Sequence, residues 1–176
     1  MKWMTKKHCM IDLETLDILP TAAILSIGAV IFKLDGSPLT ERFYVNVDPG
    51  DAKAQGCTIS KDTVKWWSEQ PKEIMEAFKT PKPIGLKSAL EQLFDFYKKT
   101  GSQMVWSHGA SFDLPIISYA ARRVQLKEPW EYWQQMCNRT VLAMIDSPLP
   151  KKRESPHNAL DDAKTQAEHI MSLFNK

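Results

Sequence analysis

Two carboxylates near the start of the sequence are spaced so that they can act together. The segment His8–Thr15 reads His-Cys-Met-Ile-Asp-Leu-Glu-Thr, and its apolar residues predict a short, buried β-strand. Alternate side chains of a strand share a face, so Asp12 and Glu14 project on the same side. Burying two neighbouring acids is unfavourable unless a cation neutralises them. The pattern therefore indicates a metal site or, since so short a motif often occurs by chance, a strand end with two solvated acids.

Further polar residues lie at predicted junctions between loops or strands and helices. Asp113 follows a predicted strand and a glycine-containing turn, and it begins a predicted helix. Ligands of open α/β sheets bind just beyond the carboxyl ends of such strands. His157 immediately precedes a helix predicted from about Asn158 to Phe174, with Asn158 as its N-cap and Asp162 in its first turns.

The elements that must position these residues form an α/β pattern. After the first strand, apolar segments at about 24–33 and 40–47 predict two more strands, and the short turns between them predict an antiparallel three-strand meander. Further strands are predicted at 103–107 and within 130–138. Helices are predicted at about 62–67, 73–78, 85–99, 113–124, 139–145 and 158–174. We therefore expect a mixed sheet, the meander plus parallel strands, flanked by helices.

Length and composition predict one globular domain over residues 1–176, with 43% hydrophobic residues. The formal net charge of +2 permits nucleic-acid binding without indicating it. The three cysteines form no C-x-x-C pair, which argues against a zinc site or a disulfide framework. The longest apolar stretch, Ala22–Phe32, is too short to span a bilayer, and the N-terminus lacks the apolar segment of a secretory signal. We expect a cytoplasmic protein with no membrane partner; the oligomeric state is left open.

The chemistry-bearing motifs resemble, in order and in spacing, those of the DEDD superfamily of 3′→5′ exonucleases. These motifs are D-x-E-T from Asp12, S-F-D ending at Asp113, and H-N-A-L-D-D-A from His157. The histidine five residues before Asp162 is similar to the third motif of the DEDDh branch. The segment 58–67 is similar to a phage- and prophage-type subgroup, which includes members acting on DNA and members acting on RNA. The resemblance implies a ribonuclease H-like fold.

The resemblance also implies a site with two Mg²⁺ ions. Asp12 would bind both ions, Glu14 and Asp162 would complete the first site, and Asp113 would serve the second. Four carboxylates in one cleft would carry a charge of about −4, which requires bound cations. Mg²⁺ prefers such oxygen ligands, and Mn²⁺ is a possible substitute. His157 would act as the general base that removes a proton from the attacking water.

Substrate contacts are predicted at Thr15, Leu16, Trp66, Lys151, Lys152 and Arg153. By resemblance, the backbone of Thr15 and Leu16 meets the 3′ hydroxyl, and the Leu16 side chain either contacts the last base or is an ordinary apolar loop residue. Trp66 and Trp67 are adjacent on a helix and point about 100° apart, so at most one of them faces a base. The basic run either holds phosphates or is a solvated loop.

Together with these residues, the resemblance implies a metal-dependent 3′→5′ exonuclease that releases nucleoside 5′-monophosphates. Its expected substrates are the 3′ ends of single-stranded, frayed or 3′-overhang DNA. DNA is placed ahead of RNA on the phage-type resemblance, because nothing in the sequence identifies a reader of the 2′-hydroxyl. The alternatives are an exoribonuclease that trims RNA 3′ ends and a catalytically silent nucleic-acid-binding module of the same fold.

Overall fold

A computed structural model of the protein describes residues 4–148 and 157–174. Its sheet contains β1 (His8–Thr15), β2 (Ile24–Phe32), β3 (Arg42–Asn46), β4 (Met104–Ser107) and β5 (Gln135–Cys137). The five strands lie in the order β3-β2-β1-β4-β5. The first three pair antiparallel, whereas β4 is parallel to both β1 and β5. The predicted meander and the mixed sheet are confirmed.

The helices occur along the chain in the predicted order, and the structure contains one helix that was not predicted. They are α1 (Pro49–Ala54), α2 (Lys61–Ser68), α3 (Lys72–Ala77), α4 (Leu86–Lys99), α5 (Asp113–Arg123), α6 (Asn138–Met144) and α7 (Ala159–Phe174). The apolar pattern of the sequence does not predict α1, because six residues are too few to show an apolar stripe. Its signal is local instead: the Asp48 carboxylate accepts hydrogen bonds from the N–H groups of Gly50 and Asp51, and Pro49 is the first helical residue. Within the described part of the chain, no helix is both long enough and apolar enough to cross a bilayer.

Successive side chains of β1 point to opposite faces of the sheet and pack in two different hydrophobic clusters. Met10 packs with Ala163 and Ala167 of α7 in one hydrophobic cluster. Ile11 belongs to the larger cluster on the other side of the sheet, together with Leu90 of α4. Asp12 and Glu14 share the face of Met10, as predicted, and therefore lie on the side that α7 covers.

Gly28 allows α7 to approach this face closely. It pairs with Asp12 across β1 and β2, and a Cβ atom at Gly28 would overlap the backbone of Ala159 and Leu160. A glycine inside a strand often marks a place where a second backbone comes near. The absence of a side chain here lets the first turn of α7 lie against the sheet, which brings Asp162 to the carboxylates of β1.

Candidate active site

Two distant segments of the chain meet to form a carboxylate cluster. Asp12 and Glu14 come from β1, and Asp162 comes from the first turn of α7. Ligand oxygens of these three residues all lie within 4.8 Å of one another. Such a spacing allows the three carboxylates to bind one cation together.

Asp113 lies beside this cluster. It is the first residue of α5, just beyond the carboxyl end of β4, and its side chain is buried. One carboxylate oxygen, Oδ1, accepts a hydrogen bond of 3.2 Å from the backbone N–H of Leu13. Because Leu13 stands between Asp12 and Glu14 in β1, this bond fixes Asp113 next to both acids.

Burial and mutual repulsion raise the pKa values of these acids. The pKa of Asp12 lies well above its usual range, first because the carboxyl is buried and then because Asp113 and Glu14 are near. Burial, followed by the charges of Asp162 and Asp113, raises the pKa of Glu14 to about 8. Burial raises the pKa of Asp113 to about 7, although backbone hydrogen bonds and Arg139 oppose the shift. A divalent cation would relieve this repulsion, and the hard oxygen ligands fit Mg²⁺ or Mn²⁺.

Gln166 is a part of the site that the sequence analysis missed. Its side-chain amide Nε2 donates a 2.7 Å hydrogen bond to Oδ1 of Asp12, and the residue is buried. The bond fixes the orientation of Asp12, so Gln166 is a positioning residue. Its spacing of four from Asp162 on the same helix was the available signal, because residues four apart lie on one helix face.

A first cleft of about 500 Å³ borders the cluster on the side of Glu14. Its lining residues include Leu13, Glu14, Thr15, Ile18, Ser60, Thr63, Trp66, Trp67 and Phe112. Trp67 is buried, and its indole N–H donates a 2.8 Å hydrogen bond to the Thr15 carbonyl oxygen. Trp66 is 41% exposed, so of the two tryptophans it is the one whose ring is open to a ligand.

His157 lies against the aromatic wall of this cleft. Its ring centroid is 4.9 Å from that of Trp66 and 5.9 Å from that of Trp67, and both contacts are edge-to-face. The backbone of His157 has a φ of 71°, which costs a non-glycine residue on the order of 1 kcal/mol. The next residue, Asn158, accepts hydrogen bonds from the N–H groups of Leu160 and Asp161 and so caps α7, as predicted. The sharp turn at His157 therefore leads directly into the helix that carries Asp162.

Of the other predicted substrate contacts, some line the first cleft and some do not. Thr15 lines the first cleft. The Leu16 side chain packs against hydrophobic core clusters, while its backbone bonds to Ala23 and Ser60. Ile18, which the sequence analysis did not single out, is 76% exposed and lines the cleft instead. Lys151, Lys152 and Arg153 lie outside the described residues.

A second cleft, of about 310 Å³, borders the cluster on the side of Asp12. Asp113, His108 and Arg139 line it together with Asp12 and Gln166. Burial lowers the pKa of His108, and the charge of Arg139 contributes to the same shift. The cleft therefore holds a cationic side chain, that of Arg139, close to the acids.

Several solved nucleases share this architecture. The nuclease domain of 3′hExo, described as a DEDDh family member bound to rAMP, superposes with a TM-score of 0.66 at 15% identity, over 97% of this chain and 92% of that one. An E. coli ExoI–ssDNA complex in a zinc-bound form gives a TM-score of 0.74 at 11% identity, but this chain covers only 41% of it. Cell-death related nuclease 4 gives 0.63 at 14% identity, over 98% and 64%. The fold is that of the ribonuclease H-like DEDDh exonucleases.

The family is established by the sequence itself. A family model described as the 3′-5′ exoribonuclease Rv2179c-like domain matches residues 7–174, and the chain belongs to this family. No curated protein matched the sequence. The predicted identification as a 3′→5′ exonuclease is confirmed, and the phage-type subgroup stays a prediction.

The raised carboxyl pKa values predict an unusual pH dependence of stability in chelator. Glu14 titrates near 8 in the folded protein against an ordinary 4.5, so between these values the folded state binds more protons than the unfolded state. Stability must then fall as pH rises through that window. We expect the melting temperature to drop by about 5–10 °C from about pH 5 to about pH 8 in EDTA. Differential scanning fluorimetry measures this change.

Added Mg²⁺ or Mn²⁺ is expected to raise the melting temperature more at the higher pH, because protons compete with metal for the same oxygens. Glu14→Gln is the matched control and should flatten the pH dependence in EDTA. A metal-free protein that becomes more stable between pH 5 and 8 would contradict the assignment of buried, repelling acids.

Proposed function

We propose that residues 1–176 form one exonuclease domain that hydrolyses the last phosphodiester bond of a nucleic-acid strand and releases a nucleoside 5′-monophosphate. The observation that carries this proposal is the convergence of Asp12, Glu14 and Asp162 within 4.8 Å, with Asp113 beside them. A family match over residues 7–174 supports the extent of the domain.

The carboxylates are suited to hold two Mg²⁺ ions, with Mn²⁺ as a substitute. Asp12, Glu14 and Asp162 would hold one ion, and Asp12 with Asp113 would hold the other. When bound, such a pair lowers the pKa of the attacking water and stabilises the charge on the leaving oxygen. Gln166 keeps Asp12 oriented for this task through its 2.7 Å hydrogen bond.

His157 is proposed as the general base. It stands at the aromatic wall of the first cleft, next to the helix that supplies Asp162. An unprotonated imidazole nitrogen can accept a proton from water as the oxygen attacks phosphorus, and the ordinary pKa of histidine suits this transfer near neutral pH.

The first cleft is proposed to receive the 3′-terminal nucleotide. The exposed Trp66 offers its ring for stacking, a contact worth about 1–3 kcal/mol per base. Thr15 and Ile18 line the same cleft beside Glu14, close to the bond to be cut. The predicted substrate contacts of Leu16 and of Lys151–Arg153 remain part of this proposal.

RNA is the proposed substrate, and DNA is the second candidate. The description of the family model names an exoribonuclease, and the 3′hExo nuclease domain was solved with rAMP. DNA, which the sequence analysis placed first, is supported by the likeness to an exonuclease solved with single-stranded DNA. The two candidates share one mechanism and differ only in the sugar that the first cleft accepts.

Matched 5′-fluorescent RNA and DNA oligomers, incubated with Mg²⁺ and then with EDTA, test the proposal. We expect products that shorten one nucleotide at a time from the 3′ end, nucleoside 5′-monophosphates as the released species, and faster cleavage of RNA than of DNA. Faster cleavage of DNA would reverse the substrate preference alone. Intact oligomers that nevertheless bind, as measured by fluorescence anisotropy, would favour the silent binding module.

A further inference from the structure

The clefts form a continuous path across the carboxylate cluster. Leu13 and Phe112 line both the first and the second cleft, so the two meet at the acids. A third hollow, of about 530 Å³, shares Gly109 and Arg139 with the second cleft and continues along α6. Among the described residues, the second cleft therefore offers a path along the surface for a strand whose 3′-terminal nucleotide lies in the first cleft.

Arg139 is a cationic residue on this path. The Arg139 side chain is exposed. Its guanidinium forms no ion pair with a carboxylate of the described residues, 4–148 and 157–174. Its charge nevertheless helps to lower the pKa values of Asp113 and His108. Arg139 thus carries an unneutralised positive charge beside acids that would repel an incoming polyanion.

The backbone that carries Arg139 is held firmly. The preceding residue, Asn138, is fully buried, and its amide Nδ2 lies 3.2 Å from Nδ1 of His108 in the turn after β4. Cys137, the residue before that, pairs with Ser107 at the ends of β5 and β4. The base of the Arg139 side chain is therefore fixed relative to the strand end that leads to Asp113, which favours a defined contact over a diffuse one.

We propose that Arg139 binds the phosphate immediately 5′ of the scissile phosphate and so guides the strand through the second cleft. This inference rests on the proposed function, which places the scissile phosphate at the carboxylates. Guanidinium groups bind phosphate oxygens through paired, charge-assisted hydrogen bonds. The contact offsets the repulsion between the acids and the next phosphate of the strand.

Arg139→Gln tests the contact, because it removes the charge and keeps most of the length of the side chain. On a short RNA or DNA oligomer we expect kcat/KM to fall about 10- to 30-fold, as expected for one lost charge-assisted phosphate contact. On thymidine 5′-(p-nitrophenyl phosphate), which has no second phosphate, we expect a change of less than about twofold. Arg122→Gln, at the far end of α5 from Asp113, makes the same charge change and should leave both rates unaltered.

A neutral methylphosphonate at the linkage one step 5′ of the scissile bond identifies the phosphate. It should cost the unmodified enzyme about tenfold and cost Arg139→Gln nothing further, because the two changes remove the same interaction. Two results would overturn the Arg139 contact without affecting the proposed nuclease activity. One is an equal loss of kcat/KM in Arg139→Gln on the oligomer and on the p-nitrophenyl ester. The other is a loss of about tenfold from the methylphosphonate in Arg139→Gln as well as in the unmodified enzyme. Failure of the unmodified enzyme to cleave either substrate would overturn the proposed function, and this inference with it.

Discussion

Replacing Asp12 with asparagine is expected to reduce the hydrolysis rate by at least about 10⁴-fold, the scale seen when an essential catalytic group is removed. Asp12 stands at the centre of the cluster, since Asp113, Glu14 and Asp162 all raise its pKa. Asparagine keeps an oxygen that can accept the hydrogen bond from Gln166, so the local packing is preserved while one charge is lost. Single-turnover cleavage of a labelled oligomer in saturating Mg²⁺ measures the effect.

The same substitution should also stabilise the metal-free protein near pH 8, because it removes one member of a group of repelling, buried carboxylates. Loss of activity together with a gain in melting temperature in EDTA distinguishes a metal-site defect from misfolding. Asp161→Asn is the matched control: Asp161 neighbours Asp162 in α7 but is not part of the cluster, and its variant should keep its rate within about threefold. An Asp12→Asn enzyme that retains a tenth of the activity would contradict the site.

Replacing His157 with alanine is expected to lower kcat by about 10²–10³-fold while Mg²⁺ still raises the melting temperature. The proposal assigns proton transfer to the imidazole and metal binding to the carboxylates, so kcat and the Mg²⁺-induced rise in melting temperature should respond separately to this substitution. Steady-state rates in saturating Mg²⁺ and melting curves with and without the ion measure them.

Because the backbone at His157 has a positive φ, a second variant is needed to separate loss of the imidazole from backbone strain. With φ at 71°, alanine is strained at this position and glycine is not, so His157→Gly removes the imidazole without that cost. Both variants should lose the same activity if the imidazole is responsible. Unchanged rates in the glycine variant, or a Mg²⁺ response lost together with activity, would refute the role of general base.

The parts of the molecule that local rules govern were predictable from sequence. The apolar run around Asp12 and Glu14 specifies β1 and the face on which the two acids lie, because strand alternation leaves no other arrangement. The cap at Asn158 specifies the start of α7. These rules place Asp162 in the first turn of α7, and the family resemblance led us to expect it beside Asp12 and Glu14.

The parts that depend on long-range packing were not predictable. Gln166 reaches Asp12 only because Gly28 lets α7 lie directly on β2, and no local pattern reports that approach. Arg139 enters the second cleft because β5 pairs in register with β4. A strand of three residues is too short for its sequence to predict that register. The position of Ile18 at the first cleft depends on a loop conformation that backbone hydrogen bonds of Leu16 to Ala23 and Ser60 hold in place.

The contact of α7 with the sheet determines when the carboxylate cluster can form during synthesis of the chain. Asp12 and its partner Gln166 are 154 positions apart, and Asp162 arrives on the same late segment. A chain emerging from the ribosome therefore carries an incomplete set of ligands until residues 157–174 are free to fold back onto β1 and β2. The carboxylate cluster is thus completed only when this late segment has packed against the sheet.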